Sequence, residues 1–380
     1  MIDLNFDDDA PRPTTSTRDR EDLRRRLEAW LAGSLDHPTV SALDAPTTNG
    51  MSSETLLFDA TWRDPRGARE SGSFAARLRP DPAAMPVFPT YDLEQQYRLI
   101  GLVGERSTVP VPRVRWLEPS DDALGSPFFV MDRVEGQVPP DVMPYTFGSW
   151  LSEAPLAEQE RLQRSSIGVL AGLHALDASP DELRFLEFGA PGGTPLRRHV
   201  ANQHAYYEWV TGDGVRHPVL ERGLRWLEDH WPADEGTSVV SWGDARIGNI
   251  LYRDFEPVAV LDWEMAGLGP REIDLGWMIF MHRYFDDFVP DELPGMPHFM
   301  RFDDAAATYE ELSGHTPRDL EWYANYAAIR HGIVMARVIR RAVHFGEMAA
   351  PDEPDDLIFH RGTIDAMIAG AYWPRVLGGK

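Results

Sequence analysis

Apolar residues return at helical intervals in several stretches of this chain, with short β-branched or alternating runs between them. Leu23, Leu27, Trp30 and Leu31 mark an amphipathic helix within residues 18–35. Residues 54–62 and 73–79 read as strands, with Asp64-Pro65-Arg66-Gly67 as the turn signal between them. Leu93, Tyr97, Ile100 and Val103 predict a second helix behind a candidate N-cap at Thr90. Residues 109–116 and 128–134 read as two further strands. Beyond Gly136 the pattern becomes helical. Leu162, Leu170, Leu173 and Leu176 share one face of a long helix ending near Ala178-Ser179-Pro180, and Trp322, Tyr326, Ile329 and Ile333 face inward from one or two helices over 318–347. Short strands over 237–240, 250–252 and 258–261 interrupt the helices, the last two joined as a hairpin by Arg253-Asp254-Phe255-Glu256-Pro257.

The chemistry concentrates in that interruption. Ser241-Trp242-Gly243-Asp244-Ala245-Arg246-Ile247-Gly248-Asn249 leads into the hairpin, and Leu261-Asp262-Trp263-Glu264 leaves it. Phosphoryl transfer from a nucleotide needs a carboxylate to deprotonate the attacking hydroxyl and oxygen ligands to hold Mg²⁺ on the phosphates. Asp244 and Asn249, five apart, fit the pattern Asp-x-x-x-x-Asn as base and first metal ligand. The hairpin brings Asp262 near Asn249 as the second ligand, because Mg²⁺ prefers carboxylate and carbonyl oxygens and needs neither His nor Cys. Arg246 stands two residues beyond Asp244, where it could offset charge on the transferring phosphoryl. Each aspartate alone reads more readily as a strand-end turn residue than as a catalytic one; the combined arrangement points to a kinase.

These motifs resemble the aminoglycoside phosphotransferase and choline kinase-like superfamily over most of the chain, from about Asn49 to the C-terminal helices. Gly50-Met51-Ser52-Ser53-Glu54-Thr55, Pro127-Phe128-Phe129-Val130-Met131-Asp132 and Pro139-Pro140-Asp141-Val142-Met143-Pro144-Tyr145 are similar to actinobacterial members assigned as aminoglycoside phosphotransferases. The resemblance implies an α+β, protein-kinase-like bilobal fold. A β-rich nucleotide-binding lobe with an N-terminal helix would occupy residues 18–134, and a helical catalytic and acceptor-binding lobe residues 135–380. Where this chain has Trp242, the family usually has a histidine that braces the catalytic loop. In such a lobe the loop with Gly50, Ser52 and Ser53 would cover the phosphates of ATP or GTP. Arg77 takes the place of the kinase lysine on the α/β-phosphates, with Arg79 as an alternative on the same strand face. Glu94 is the candidate acid paired with that basic residue, and Gln96 is the competing position. The backbone near Met131, Asp132 and Arg133 would meet adenine. Asp274 resembles the aspartate that supports the catalytic loop, and His174 reads as a core histidine.

Composition narrows the partners. The 380 residues hold 37 basic and 61 acidic side chains, a net charge of −24, which argues against nucleic acid. No cysteine, signal-peptide pattern or membrane-length apolar run is present, so the expected location is the cytoplasm, away from a membrane. Residues 1–17, acidic and then rich in Pro, Thr and Ser, read as a disordered tail. The small-molecule hydroxyl acceptor is less legible, and oligomeric state not at all. Asp286, Asp287, Glu208 and Asp213 could meet the amines of an aminoglycoside. The aromatics Tyr145, Phe147, Trp150, Tyr206, Tyr207, Trp209, Trp277, Tyr284 and Phe285 point instead to a lipophilic alcohol. Arg337, Arg340 and Arg341 could meet a phosphate of a hydroxyacyl-CoA, the acceptor class implied by relatives fused to acyl-CoA dehydrogenases, or be a helix-end charge cluster. A pseudokinase that binds without transferring is the remaining class.

Overall fold

The computed structural model describes residues 18–45, 54–141 and 144–377. Helix α1 (Arg20–Leu31) starts at Asp19, whose carboxylate accepts from the Asp22 amide. Strands β1 (Asp36–Val40), β2 (Glu54–Arg63) and β3 (Arg69–Leu78) follow, then α2 (Leu93–Arg106), β4 (Val114–Glu118) and β5 (Phe128–Asp132). The five strands form one sheet in the order β1-β2-β3-β5-β4, with every neighbour antiparallel.

Strand alternation gives the sheet two apolar faces. Phe74, Ala76 and Leu78 of β3, with Phe128 and Val130 of β5, pack under Leu23, Leu27 and Leu31 of α1. Each such leucine, fully buried, contributes about 1.5–3 kcal/mol. Ala75, Phe129 and Met131 point the other way, into the core shared with α2 and the helical part. Arg77 shares the face of Ala75, so the alternation that buries β3 also turns Arg77 toward the second half of the chain.

That half contains α3 (Leu156–His174), α4 (Pro180–Leu183), α5 (Pro195–Val210) and α6 (Pro218–Asp229). Four short strands follow: β6 (Ser238–Ser241), β7 (Ile250–Arg253), β8 (Glu256–Val260) and β9 (Gly267–Pro270). The chain then continues through α7 (Glu272–Asp286), α8 (Phe302–Ser313), α9 (Leu320–His344), α10 (Arg361–Ile368) and α11 (Tyr372–Leu377). β6 pairs with β9 and β7 with β8, both antiparallel. Helices α7 and α9 cross closely at Gly276, where a Cβ would lie 2.8 Å from the Tyr323 carbonyl carbon. That approach sets the position of Trp277. Among the described residues, no helix is long and apolar enough to cross a membrane.

The expected elements are present with shifted ends. Helix α2 is capped by Asp92 rather than Thr90, the Asp92 carboxylate accepting from the Gln95 amide at 2.8 Å. The strand expected over 109–116 begins only at Val114, because Pro110 and Pro112 have no N–H for a ladder. α3 ends at His174, leaving Leu176 beyond it. Residues 318–347 form one helix rather than two, with Trp322, Tyr326, Ile329 and Ile333 buried as expected. The connection from β3 to α2 is tied to the helical part: Arg337 Nε donates to the Pro86 carbonyl at 2.9 Å and Tyr206 Oη to that of Val87 at 2.9 Å.

Candidate active site

The loop from Ser241 to Asn249 is fixed from below by one carboxylate. Asp274, in the first turn of α7 and fully buried, accepts from Ser241 Oγ at 2.7 Å, the Trp242 amide at 2.8 Å, the Gly243 amide at 3.0 Å and His174 Nε2 at 3.1 Å. Burial pushes its pKa up, but His174, Gly243 and Ser241 outweigh burial and hold it below the ordinary carboxylate value. His174 is a core histidine, as expected, and it belongs to this brace; its Nδ1 meets Tyr309 Oη at 2.7 Å. Gly243 has φ +89°, and a Cβ there would sit 2.1 Å from the Met265 carbonyl oxygen, so only glycine fits. The Gly243 carbonyl accepts from the buried Arg330 of α9 at 3.3 Å.

The loop presents Asp244 with both oxygens held. Oδ1 accepts from Trp277 Nε1 at 2.8 Å; Oδ2 accepts from Asn249 Nδ2 at 2.7 Å and Arg246 Nε at 3.2 Å. The side chain remains 16% exposed. Asn249 donates from the same Nδ2 to the Asp244 carbonyl at 3.1 Å, so its Oδ1 is turned away as an acceptor. Its backbone carbonyl accepts from Leu261 N at 2.9 Å. The β7–β8 hairpin thereby places Asp262 next to Asn249, as the spacing predicts. Asp262 adopts φ +60°, uncommon for a residue with a Cβ.

Arg77 reaches this point from the sheet. One of its terminal nitrogens donates to Asp262 Oδ1 at 2.5 Å and Glu264 Oε2 at 3.0 Å. Burial acts to lower the Arg77 pKa, but the two carboxylates outweigh it and raise it. Glu264 is the residue that sequence reasoning passed over, although alternation from Asp262 across Trp263 was the available signal. Glu94 is not the acid paired with Arg77. It lies exposed in the first turn of α2, whose buried face carries Leu93, Gln96, Leu99, Ile100 and Val103. Glu94 lines a groove of about 690 Å³ with Arg79, Phe88 and Tyr91.

Two further expectations are corrected. Arg246 is not available to a transferring phosphoryl group: its guanidinium is clamped between Asp141 and Asp244. Burial lowers its pKa, yet the two carboxylates outweigh burial and raise it. Its place is to fix Asp244. The amides of Asp132 and Arg133 are already committed, to the Arg113 carbonyl and the Ser73 carbonyl at 2.9 Å each. The Met131 side chain is buried in the core between Ala75 and Val114. Neither Asp132 nor Arg133 therefore offers a free amide to adenine, and Met131 lies within β5, paired with Ala75 of β3 and Val114 of β4. Gly50, Ser52 and Ser53 lie outside the described residues.

The oxygen set suits Mg²⁺. Among the described residues no group of three or more His, Cys, Asp or Glu is arranged to hold a metal. Asn249 Oδ1 and the carboxylates of Asp262 and Glu264 offer a partial shell of hard donors, which fits an ion that completes its octahedron with phosphate and water.

With this geometry established, a model of the phosphotransferase enzyme family matches residues 60–315. The chain belongs to that family. Its fold is shared with a provisionally assigned aminoglycoside phosphotransferase from Ralstonia eutropha, with TM-score 0.63, 20% identity and coverage of 94% of this chain and 98% of that one. A thermostable mutant of aminoglycoside phosphotransferase APH(4)-Ia, in ternary complex with AMP-PNP and hygromycin B, gives TM-score 0.53, 16% identity and coverage of 93% and 99%. Acyl-CoA dehydrogenase family member 11 from Gallus gallus is 27% identical over 265 residues, 68% of this chain and 30% of that protein. Family member 10 from Mus musculus is 25% identical over 243 residues, 63% of this chain and 21% of that protein. The chain spans between 20% and 32% of the length of the curated relatives it matches.

Trp242 is the residue that the resemblance sets where a histidine is expected, and the structure shows what an indole does there. Trp242 is fully buried beside Trp263 and donates from Nε1 to the Leu261 carbonyl at 2.9 Å. One bond thus joins the loop of Asp244 to the residue before Asp262. Trp242→Phe keeps one aromatic ring but removes the second ring and its N–H, leaving that carbonyl without its donor and a small cavity beside Trp263, so unfolding free energy should fall by about 1–3 kcal/mol. Urea denaturation reads this directly; an unchanged midpoint would remove the bond from the account.

Proposed function

We propose that the chain transfers the γ-phosphoryl group of a nucleoside triphosphate, ATP or alternatively GTP, to a hydroxyl of a small molecule. The observation that carries this reading is Asp244, a partly exposed carboxylate held by three donors and one residue, Asn249, away from the Asp262–Arg77–Glu264 cluster. Asp244 would accept the proton of the acceptor hydroxyl as its oxygen attacks phosphorus. Trp277, Asn249 and Arg246 orient its oxygens before the acceptor arrives. Asn249 and Asp262, with Glu264, would hold Mg²⁺, which supplies charge neutralisation on the phosphates when bound. Arg77 would contact the phosphates with a fork already aimed at the same oxygens.

The acceptor has two readings. Hygromycin B in the APH(4)-Ia complex supports an aminoglycoside. The state of the acidic residues favours a second, less cationic acceptor, a lipophilic alcohol or hydroxyacyl-CoA. Asp286 and Asp287 pair with Arg283 at 2.8 and 3.0 Å, Glu208 with Arg216 at 2.8 Å and Asp213 with Arg340 at 3.1 Å. All four carboxylates offered for drug amines thus have an arginine already, and displacing it would cost what the amine brings. Of the aromatics, Tyr145, Tyr206, Tyr207, Trp277 and Phe285 are core, while Trp209 is 39% exposed. The names of the acyl-CoA dehydrogenase relatives support including a hydroxyacyl-CoA. The test is ADP release with Mg-ATP against kanamycin-type aminoglycosides and a hydroxyacyl-CoA in parallel. Turnover on one panel chooses the acceptor class; silence on both, with AMP-PNP bound, favours an untested lipophilic alcohol or a pseudokinase.

A further inference from the structure

Arg330 of α9 is a buried cation with no part in holding phosphate, metal or acceptor. It is 1% exposed, and among the described residues no carboxylate lies within ion-pair distance of it. Burial lowers its pKa, and Tyr326, Asp274 and Asp244 act against burial. A guanidinium stays charged even in the interior, so keeping one there costs free energy that its neighbours must offset.

Those neighbours are the supports of Asp244. One terminal nitrogen, Nη2, donates to the Gly243 carbonyl at 3.3 Å, and that carbonyl belongs to the peptide bond that enters Asp244. The guanidinium carbon lies 4.5 Å from the ring centre of Trp277 and 5.5 Å from that of Tyr326. Trp277 is the residue whose Nε1 donates to Asp244 Oδ1 at 2.8 Å. Tyr326 stands four residues earlier on α9 and is itself fixed, its hydroxyl meeting His199 Nδ1 at 2.6 Å. The close approach of the helices at Gly276 brings α7 within reach of the stack. Nε and Nη1 of Arg330 find no hydrogen-bond partner, so two ring faces and one carbonyl make its whole setting. A cation over an indole face is held by the ring quadrupole, most strongly where both are desolvated. Its field also draws electron density from the ring and makes Nε1–H a better donor.

We propose that Arg330 is a positioning residue for Asp244: stacked on Trp277 and bonded to the Gly243 carbonyl, it fixes the direction in which the carboxylate meets the acceptor hydroxyl. The consequence for turnover rests on the phosphotransferase reading of Asp244; the steadying of the Trp277–Asp244 bond does not. A guanidinium that served stability alone would loosen the whole helical part when removed. One that steadies this bond loosens the bond first.

The test is hydrogen exchange at the indole N–H groups, read by proton–nitrogen NMR on the full chain. Among the twelve tryptophans, the signals of Trp277 and Trp242 are assigned by their loss in Trp277→Phe and Trp242→Phe. In Arg330→Met, exchange at Trp277 Nε1 should speed about ten-fold or more, while that at Trp242 Nε1, on the Leu261 carbonyl, stays within about two-fold. Arg330→Gln, uncharged but still a donor, should show the same selective acceleration and stands in where Arg330→Met does not fold. Arg330→Lys, which keeps a cation, should recover part of the protection. Equal acceleration at both indoles, or none at Trp277, overturns the proposal. The effect on turnover is read by a double-mutant cycle on ADP release from Mg-ATP, with whichever acceptor of the two panels reacts. Arg330→Met and Trp277→Phe should each lower kcat about ten-fold at unchanged KM for ATP, and together little further than either alone. Losses that multiply overturn the action of Arg330 through Trp277. A wild type that releases no ADP with either panel counts against the phosphotransferase reading separately, and the exchange rates then still decide for or against Arg330.

Discussion

Asp244→Asn is expected to lower kcat by about 10²–10⁴-fold while Mg-ATP still binds. The amide cannot take a proton from the acceptor. It also replaces one of two oxygens that now accept only from N–H groups, Trp277 on one side and Asn249 with Arg246 on the other. Whichever way the amide turns, an NH₂ faces a donor, so the loop should lose about 1–3 kcal/mol as well. Two measurements separate these effects. Steady-state ADP release reports the chemistry, and AMP-PNP titration with a thermal melt reports whether the loop and its metal ligands survive. Wild-type turnover in the variant would exclude Asp244 as the base; lost nucleotide binding would show that its donors matter chiefly for architecture.

Asp274→Ala should be the most destabilising single change near the site, at about 3–5 kcal/mol. Removing this carboxylate strands Ser241, two loop amides and His174 in the interior. The pH dependence has a definite sign. Because the folded-state pKa lies below the unfolded value, the contribution is full above the unfolded carboxylate value of about 3.9 and is lost as pH falls through the lower folded one. Wild-type stability should thus fall more steeply in strong acid than that of Asp274→Ala. Urea midpoints taken from neutral pH down to the acid limb test this; parallel curves would assign the acid loss to other carboxylates.

Much of the candidate site was legible because it is local. Asp244, Asn249 and Asp262 sit around one hairpin, and the spacing of a hairpin is written in its sequence. Arg77 was legible for a similar reason, since alternation along β3 decides its face. The misplaced residues depend on contacts between distant segments. Glu94 and Gln96 both fit a helix, and only packing against the core decided that Gln96 turns inward. Asp141 and Trp277, which complete the setting of Asp244, lie more than thirty residues from it on either side in sequence, and no local pattern announces either. Strands β1 and β9 were missed because Asp-His-Pro-Thr-Val and Gly-Leu-Gly-Pro are poor in strand formers; their pairing comes from neighbours.

The pinning of Pro86 and Val87 to α9 and α5 restricts how this molecule can open. The sheet joins the helical part through the chain that leaves β5, and these two carbonyls, the Arg77–Asp262 pair and the Arg106–Glu182 pair tie it at further points. A sheet tied at that many separated points cannot part freely from the helices, so admission of nucleotide and acceptor would exchange one set of ties for another.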